Sequence, residues 1–510
     1  MYGRADVAAV LPAEAAALDR SAREQEGVPE RVLMESAGRA AALVLDRLFP
    51  RGSVVIIAGS GNNGGDAAVV GRTLLSWGRP VRLFTAGGSP PDTALRHGFN
   101  LEFEDLQGLA AAATGAAVLV DGILGTGARG VPRPPASAAI ESANASGRPV
   151  LALDLPSGVD SATGRVESQA IRAAITVTFG WPKTGLMFQP ARDHCGRLIA
   201  VEIGFPPSEA PATGACLLTP AWAAARLPPR PPDAHKGISG RLLILAGTEG
   251  MAGAAVIAAR SAQRAGAGLV RLASAATNRI VLQSAVPEAT FVDRTGLDPN
   301  DLQSIRALLA GPGIGTDGGA RHALENAIEL TPGRPAVFDA DALNLFARET
   351  ERLIAIARER MTLITPHPAE LARLSGVSIE DITADPIRAA REAASRFGCV
   401  VLLKGQPSII ASPDEPLLIN TSGSSDVAAG GMGDQLSGAI GAMLAAGLDA
   451  RSAAGVALYF CGRAADLAHL GRGLSPEDVS AHLPAAFANP GARFSSLRLP
   501  FVTFDQPPRW

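Results

Sequence analysis

Two kinds of hydrophobic pattern alternate along the chain. Short continuous apolar runs rich in β-branched residues, at Val54–Ala58, Val81–Thr85, Ala117–Val120, Pro149–Leu153 and Ile175–Phe179, have the signature of strands buried on both faces. Between them, residues 29–49 (PERVLMESAGRAAALVLDRLF) and Ala67–Trp77 carry apolar residues at helical spacing. The same alternation resumes at Arg241–Ala246, a small-residue helix from Met251, then Ala307–Ala310, Ala336–Phe338, Met361–Ile364, Cys399–Leu403 and an apolar helix at Leu436–Leu444. Strands alternating with helices predict parallel sheets covered by helices on their faces, an α/β fold. Phe205–Gly214 and Leu227–Pro232 are proline-rich and aperiodic, which predicts an exposed linker and domains at 1–210 and 211–505. The stretch from Asn489 lacks periodicity and is expected to be a loosely packed tail.

The polar residues concentrate where strands end. Gly59-Ser60-Gly61-Asn62-Asn63-Gly64-Gly65-Asp66 formally satisfies a GxGxxG fingerprint between a strand and a helix. A dinucleotide site of that kind also needs an acid at the end of the second strand, and Val81–Thr85 runs instead into Ala86-Gly87-Gly88. Asn62, Asn63 and Asp66 could bind a cation or substrate hydroxyls. Asp121 and Asp154 each follow a strand, so Asp66, Asp121 and Asp154 could converge at one crevice, although an aspartate at a strand end also stabilises turns. Lys183 either offsets those acids or snorkels. In the second half, strands lead into Gly311–Gly315, Asp339–Asn344, His367 between two prolines, and Lys404-Gly405. Gly430-Gly431-Met432-Gly433-Asp434 then opens a helix: its free backbone N–H groups suit an anion, and Asp434 beside them suits proton abstraction from a hydroxyl. Taken alone, Gly433-Asp434 reads more readily as a loop end capping a helix than as a catalytic site.

Composition narrows the function. The 510 residues are 47% apolar with net charge −3, without basic runs, which excludes a nucleic-acid footprint and an anionic-membrane binder. Four scattered cysteines lack CxxC spacing, so neither a disulfide framework nor a zinc site is expected. No apolar run reaches transmembrane length, and acids and a proline interrupt the first residues where a signal peptide needs an apolar core; a cytoplasmic protein is expected. Of 46 basic residues only Lys183, Lys236 and Lys404 are lysine, each beside glycine, proline or histidine, where a compact ammonium suits a tight contact better than a guanidinium fork.

Together these motifs resemble two known families. The first half is similar to NAD(P)H-hydrate epimerases through LMESAG (33–38), GNNGGD (61–66), DGILGTG (121–127), DLPSGVD (154–160) and TFGWPKTG (178–185). The second resembles the ADP/ATP-dependent NAD(P)H-hydrate dehydratases of the ribokinase-like superfamily through HKG (235–237), GPGIG (311–315), DADALN (339–344), TPHPAE (365–370), LKG (403–405) and GGMGD (430–434). The resemblance implies a Rossmann-like three-layer domain followed by a ribokinase-like α/β domain. It implies repair of hydrated nicotinamide nucleotides: epimerisation of R and S hydrates, then dehydration of the S form with ADP, giving AMP and phosphate.

By that analogy Asn63, Asp121 and Ser157 hold a potassium ion, and the hydrate meets Asn62, Asn63, Gly64, Gly65, Asp66, Gly125, Thr126, Gly127, Ala128, Arg129, Gly130, Val131 and Asp154. In the second half Ala254, Gly315, His367 and Asp434 contact the hydrate, while Lys404, Gly405, Gln406, Pro407, Ser408 and Gly433 contact the nucleotide. Asp434 and Asp154 are the expected acid–base groups, magnesium the phosphate counter-ion, and a homo-oligomer the expected assembly. A rival is a ribokinase-like small-molecule kinase with a non-catalytic N-terminal binding module. The sequence departs from the family at Ala67 and Ala369, each in place of glycine, at the loop Asn420–Val427, and at Gln435, where an apolar residue is commoner.

Overall fold

The computed structural model describes residues 6–87, 98–99, 101–206, 214–229, 240–492 and 495–508. The HKG motif with Lys236, Gly88 and the expected boundary at residue 210 lie outside these described residues. The chain forms two compact units, one of residues 1–216 with 492–510 and one of residues 217–491.

The first unit carries a sheet in the order Val502–Gln506, Arg197–Val201, Ile175–Phe179, Val150–Leu153, Val118–Gly122, Val54–Ala58, Val81–Thr85, Phe103–Glu104. All neighbours are parallel except Val502–Gln506, which runs antiparallel to Arg197–Val201. The continuous apolar run at Val54–Ala58 follows from burial on both faces. Val54, Ile56 and Ala58 join a core with the helices Glu30–Leu48 and Asn62–Ser76; Val55 and Ile57 join another with Leu109–Gly115 and Ala136–Ala145. The result is three layers, helix, sheet, helix. From Val54–Ala58 the chain moves outward through two strands, then returns to Val118–Gly122 on the opposite flank. Loops leaving those two central strands diverge there and open a crevice at their C-terminal ends.

The expected loose tail from Asn489 is a misreading. Leu497, Leu499, Val502 and Phe504 are buried, and Asp505 accepts two hydrogen bonds from Arg197 at 2.8 and 2.6 Å. Unlike the expected span 211–505, residues 492–505 therefore belong with the first unit. The alternation of Val502, Phe504 and Gln506 is too short to stand out, and its pairing strand lies some three hundred positions away.

In the second unit the order is Leu417–Asn420, Ile409–Ala411, Val400–Leu403, Thr362–Ile364, Ala336–Phe338, Ala307–Ala310, Arg241–Leu245, Leu269–Ser274, Thr290–Asp293. It is parallel from Thr290–Asp293 to Val400–Leu403, with two antiparallel additions beyond. The chain again reverses direction beside its first strand, here between Arg241–Leu245 and Ala307–Ala310. The helix Met432–Ala445 packs on Ala252–Arg264 so closely that a Cβ at Gly438 would lie 2.2 Å from the Ala258 carbonyl oxygen. Both site-bearing helices start earlier than their apolar spacing predicts, at Asn62 and Met432, which puts Asn63, Asp66, Gly433 and Asp434 inside or near first turns.

Candidate active sites

The first crevice is built on glycines that let backbones touch. A Cβ at Gly64 would fall 1.9 Å from the Gly59 carbonyl oxygen, and one at Gly59 would fall 2.0 Å from that of Ile123. The start of the helix Asn62–Ser76 is thereby pressed onto the ends of the two central strands. There Asp121, wholly buried, accepts from the Ser157 hydroxyl at 2.6 Å, the Ser157 N–H at 2.8 Å and the Ile123 N–H at 3.1 Å. Burial pushes its carboxyl up to about 6, and the bonds from Ser157 and Ile123 pull the other way. Asn63 donates to the Leu124 carbonyl at 2.9 Å, while its own Oδ1 is buried without a hydrogen-bond partner among the described residues. Asn63, Asp121 and Ser157 are thus linked through the 121–124 loop.

Asp66 and Asp154 form a separate group. Asp154 has a left-handed backbone, φ 63°, at the end of Val150–Leu153. Its Oδ1 accepts from Lys183 Nζ at 2.5 Å, the Phe179 N–H at 3.2 Å and the Thr178 hydroxyl at 3.3 Å. Lys183 is buried and also donates to the Phe179 carbonyl at 2.9 Å, so of the two readings open for it, offsetting the acids is the one observed. Burial, then the charges of Asp154 and Glu30, raise the Asp66 carboxyl well above its ordinary range against the opposing pull of Lys183. The three aspartates therefore divide: Asp154 holds Lys183 and acts on Asp66 through its charge, while Asp121 is bonded to Ser157 and linked to Asn63.

The rest of the expected epimerase set lines this region unevenly. Asn62 is exposed and donates to Glu30 at 2.8 Å. Gly64 and Gly65 are buried in the first helical turn. A Cβ at Gly125 would lie 3.3 Å from Cβ of Asn63, and Ala128 N–H closes a turn on the Gly125 carbonyl at 3.0 Å. Thr126 is half-buried, Gly127, Gly130 and Val131 are exposed, and Arg129 reaches Asp160 at 3.7 Å.

In the second unit Gly431, at φ 81°, turns the chain into the helix Met432–Ala445, whose N-terminus has no side-chain cap. A Cβ at Gly433 would sit 3.4 Å from Lys404 Nζ and 3.7 Å from Asp339 Oδ2, so glycine keeps the helix start open beside both. Lys404 Nζ binds Asp339 Oδ1 at 2.9 Å and lies 3.8 Å from Glu370 Oε2. Burial opposes the charge of Lys404, but Asp339, Glu370 and Asp434 outweigh it and raise its pKa. Among the described residues Asp434 has no such partner. Burial, then the charges of Asp339, Asp341 and Glu370 against the pull of Lys404, push its carboxyl up to about 7.

His367 caps the helix Pro368–Ser375, its Nδ1 accepting from the N–H groups of Ala369 at 3.1 Å and Glu370 at 3.3 Å. Burial first, with Lys404 and Arg373, lowers its pKa against the pull of Glu370, whose Oε1 lies 3.4 Å from Nε2 of the exposed ring. Gly315, at φ 83°, donates to Asp341 Oδ2 at 2.9 Å, and a Cβ at Gly313 would lie 3.1 Å from Ala254, which brings Ala254 and the glycine loop together. Gly405 and Ser408 close the turn holding Gln406 and Pro407, the Gly405 N–H lying 3.2 Å from Ser408 Oγ.

The departures at Ala67, Ala369 and Gln435 have local explanations. Ala67 and Ala369 are helical, so neither needs a positive φ; Ala67 packs where a Cβ at Gly122 would come within 2.5 Å of it. Gln435 points away from the site, donating at 3.0 Å to the buried Ser261, whose hydroxyl binds the Gln435 carbonyl. Lys183, Asp339, Asp341 and Glu370 were absent from the expected site sets. All four sit in the motifs that carry the resemblance, and Lys183 and Lys404 also stood out as two of three lysines.

Comparison with known proteins fixes the class of each half and then of the whole. Residues 30–185 match the family described as YjeF-related protein N-terminus, and residues 242–485 match the NAD(P)H-hydrate dehydratase family. A ribokinase-like superfamily protein of Enterococcus faecalis, 25% identical, superimposes with a TM-score of 0.50 over 54% of this chain and 96% of its own. The bifunctional NAD(P)H-hydrate repair enzyme Nnr of Moorella thermoacetica is 36% identical over 500 residues, 91% of this chain and 93% of that protein. The enzyme of the same name from Escherichia coli is 34% identical over 435 residues, covering 81% and 80%. The chain belongs to the family of bifunctional NAD(P)H-hydrate repair enzymes.

Proposed function

We propose that the first unit interconverts the R and S hydrates of NADH and NADPH at the Asp66–Asp154 crevice, and that the second dehydrates the S form at Asp434 with ADP. One observation supports this above the rest: Asp434, its carboxyl raised to about 7, stands at an uncapped helix N-terminus beside Lys404. Hydroxide is a poor leaving group, so expelling water from the ring requires activating the hydroxyl. Asp434 takes the hydroxyl proton, the oxygen attacks the terminal phosphoryl group of ADP, and AMP leaves. Phosphate then departs from the ring carbon with loss of a proton from its neighbour, and the double bond is restored. The helix end, the Gly430–Gly433 N–H groups and Lys404 stabilise the phosphoryl group in transfer. In this reading His367 and Gly315 hold the hydrate, and Lys404–Ser408 with Gly433 the nucleotide.

Among the described residues no three acidic, histidine or cysteine side chains are arranged as a metal site. Magnesium is accordingly assigned to the nucleotide phosphates, with at most one or two carboxylates, which suits its preference for retained water and phosphate oxygen. In the first unit the donors fit a hard monovalent cation: the orphaned Asn63 Oδ1, the Asp121 carboxylate and the Ser157 hydroxyl are all oxygens. Potassium held there would offset the buried charge of Asp121.

Turnover of separated R and S hydrates tests the reading. Recovery of the reduced-nicotinamide absorbance from the S hydrate with ADP or ATP is expected, and from the R hydrate by way of the S form. A stable phosphorylated product would favour the kinase reading and overturn this one.

A further inference from the structure

We propose that Lys183 is the positioning residue of the first site, holding Asp154 as an ionised base through Oδ1, and that Asp66 is the proton donor opposed to it. The inference rests on the reading of this unit as the epimerase and assigns its proton inventory. Among the described residues, every hydrogen bond to the Asp154 carboxylate lands on Oδ1, from Lys183 Nζ, the Phe179 N–H and the Thr178 hydroxyl. Oδ2 is left to take a proton. The left-handed backbone of Asp154, strained in a non-glycine residue, is held by its own N–H on the Val177 carbonyl at 2.8 Å. A strained aspartate whose one oxygen is saturated and other free is aimed, and Lys183 does most of the aiming.

Charge counting then assigns Asp66. The charges that act on Asp66, on the helix Asn62–Ser76, are those of Asp154 from the sheet, Lys183 from the loop after Ile175–Phe179 and, more weakly, Glu30 from the helix Glu30–Leu48. A single buried ammonium, 2.5 Å from Asp154, cannot neutralise a second buried carboxylate, so Asp66 retains its proton. Burial and the Asp154 charge raise the Asp66 carboxyl in the same sense.

A base and an acid in one crevice suit the chemistry of the hydrate. Water adding across an enamine puts its hydroxyl on the carbon bonded to nitrogen, a carbinolamine. Asp154 Oδ2 takes the hydroxyl proton, the oxygen lone pair forms C=O, and the C–N bond breaks. The electron pair goes to the ring nitrogen, which takes the Asp66 proton. Rotation about the adjoining C–C bond presents the other carbonyl face, and nitrogen attacks it. Asp66 then recovers the nitrogen proton and Asp154 returns its own to oxygen. No proton, electron or co-reactant is consumed, and both residues finish as they began, as reversible interconversion of two epimers requires.

The test uses the full chain. Lys183→Ala and Lys183→Gln should each slow R-to-S conversion about 10²-fold or more in kcat with little change in KM, and Asp66→Asn should do likewise. Ethylammonium added to Lys183→Ala should restore epimerisation at least tenfold, whereas propanol of similar size should not. Thermal midpoints, and dehydration of the S hydrate in the same samples, report folding; if the alanine variant is unfolded, the glutamine variant decides on its rate alone. Epimerisation within threefold of wild type in a folded Lys183 variant, or a folded Lys183→Ala rescued by neither additive, would overturn the inference. Wild type that fails to interconvert the hydrates would instead overturn the functional reading beneath it.

Discussion

The two units solve the same electrostatic problem in opposite ways. Each is a largely parallel open sheet that gathers acids and one lysine at its strand ends, and in the function proposed above each keeps a carboxylate ready to take a proton. In the first unit the lysine binds the acid proposed above as the base, Lys183 to Asp154, while burial and the Asp154 charge raise the Asp66 carboxyl. In the second the lysine binds a neighbour, Lys404 to Asp339, and Asp434 stands without an ion-pair partner among the described residues, its carboxyl raised to about 7. Which acid owns the lysine, more than how many acids there are, sets how each site is poised.

The sharpest break of that comparison is Asp434→Asn. Dehydration of the S hydrate should fall about 10³-fold while R-to-S conversion continues, read by absorbance recovery on separated epimers; loss of both activities would show the sites are not separable. The next effect is the pH profile. Asp434 acts as a base only when deprotonated, so dehydration should lose about tenfold per pH unit below about 7. Asp339→Asn removes a like charge and frees Lys404 toward Asp434, so that acid limb should move down by about one pH unit. A limb that stays in place would mean that burial alone sets it. The smallest effect is on stability. With its carboxyl raised from 3.8 to about 7, the folded protein binds the Asp434 proton more tightly than the unfolded chain across that window. Its burial therefore costs stability increasingly as pH rises, up to about 7. Asp434→Asn should raise the thermal midpoint of the second unit by about 2–5 °C at pH 8, after discount for partial exposure, and by nothing measurable near pH 4.

Much of this was legible beforehand because the signals are local. Val54–Ala58, Val81–Thr85 and Ile175–Phe179 begin and end where their apolar runs do, and the strand-end motifs name the two crevices. What escaped depends on partners remote in the chain. Gln435 reads as an oddity until Ser261 is found against it, 174 positions away, and the division of the three aspartates depends on where Lys183 folds back. The early starts of both helices escaped because glycines and polar residues dilute the apolar spacing in the turns where sites are made.

The strand Val502–Gln506 has a consequence for how the protein is made. Its partner, Arg197–Val201, leaves the ribosome roughly three hundred residues earlier, and at about 5–20 residues per second waits on the order of 15–60 s. During that interval the nascent first unit presents a bare strand edge of the kind that recruits other chains, while residues 217–491 are contiguous in sequence and wait for no later segment. The unit translated first is the one finished last.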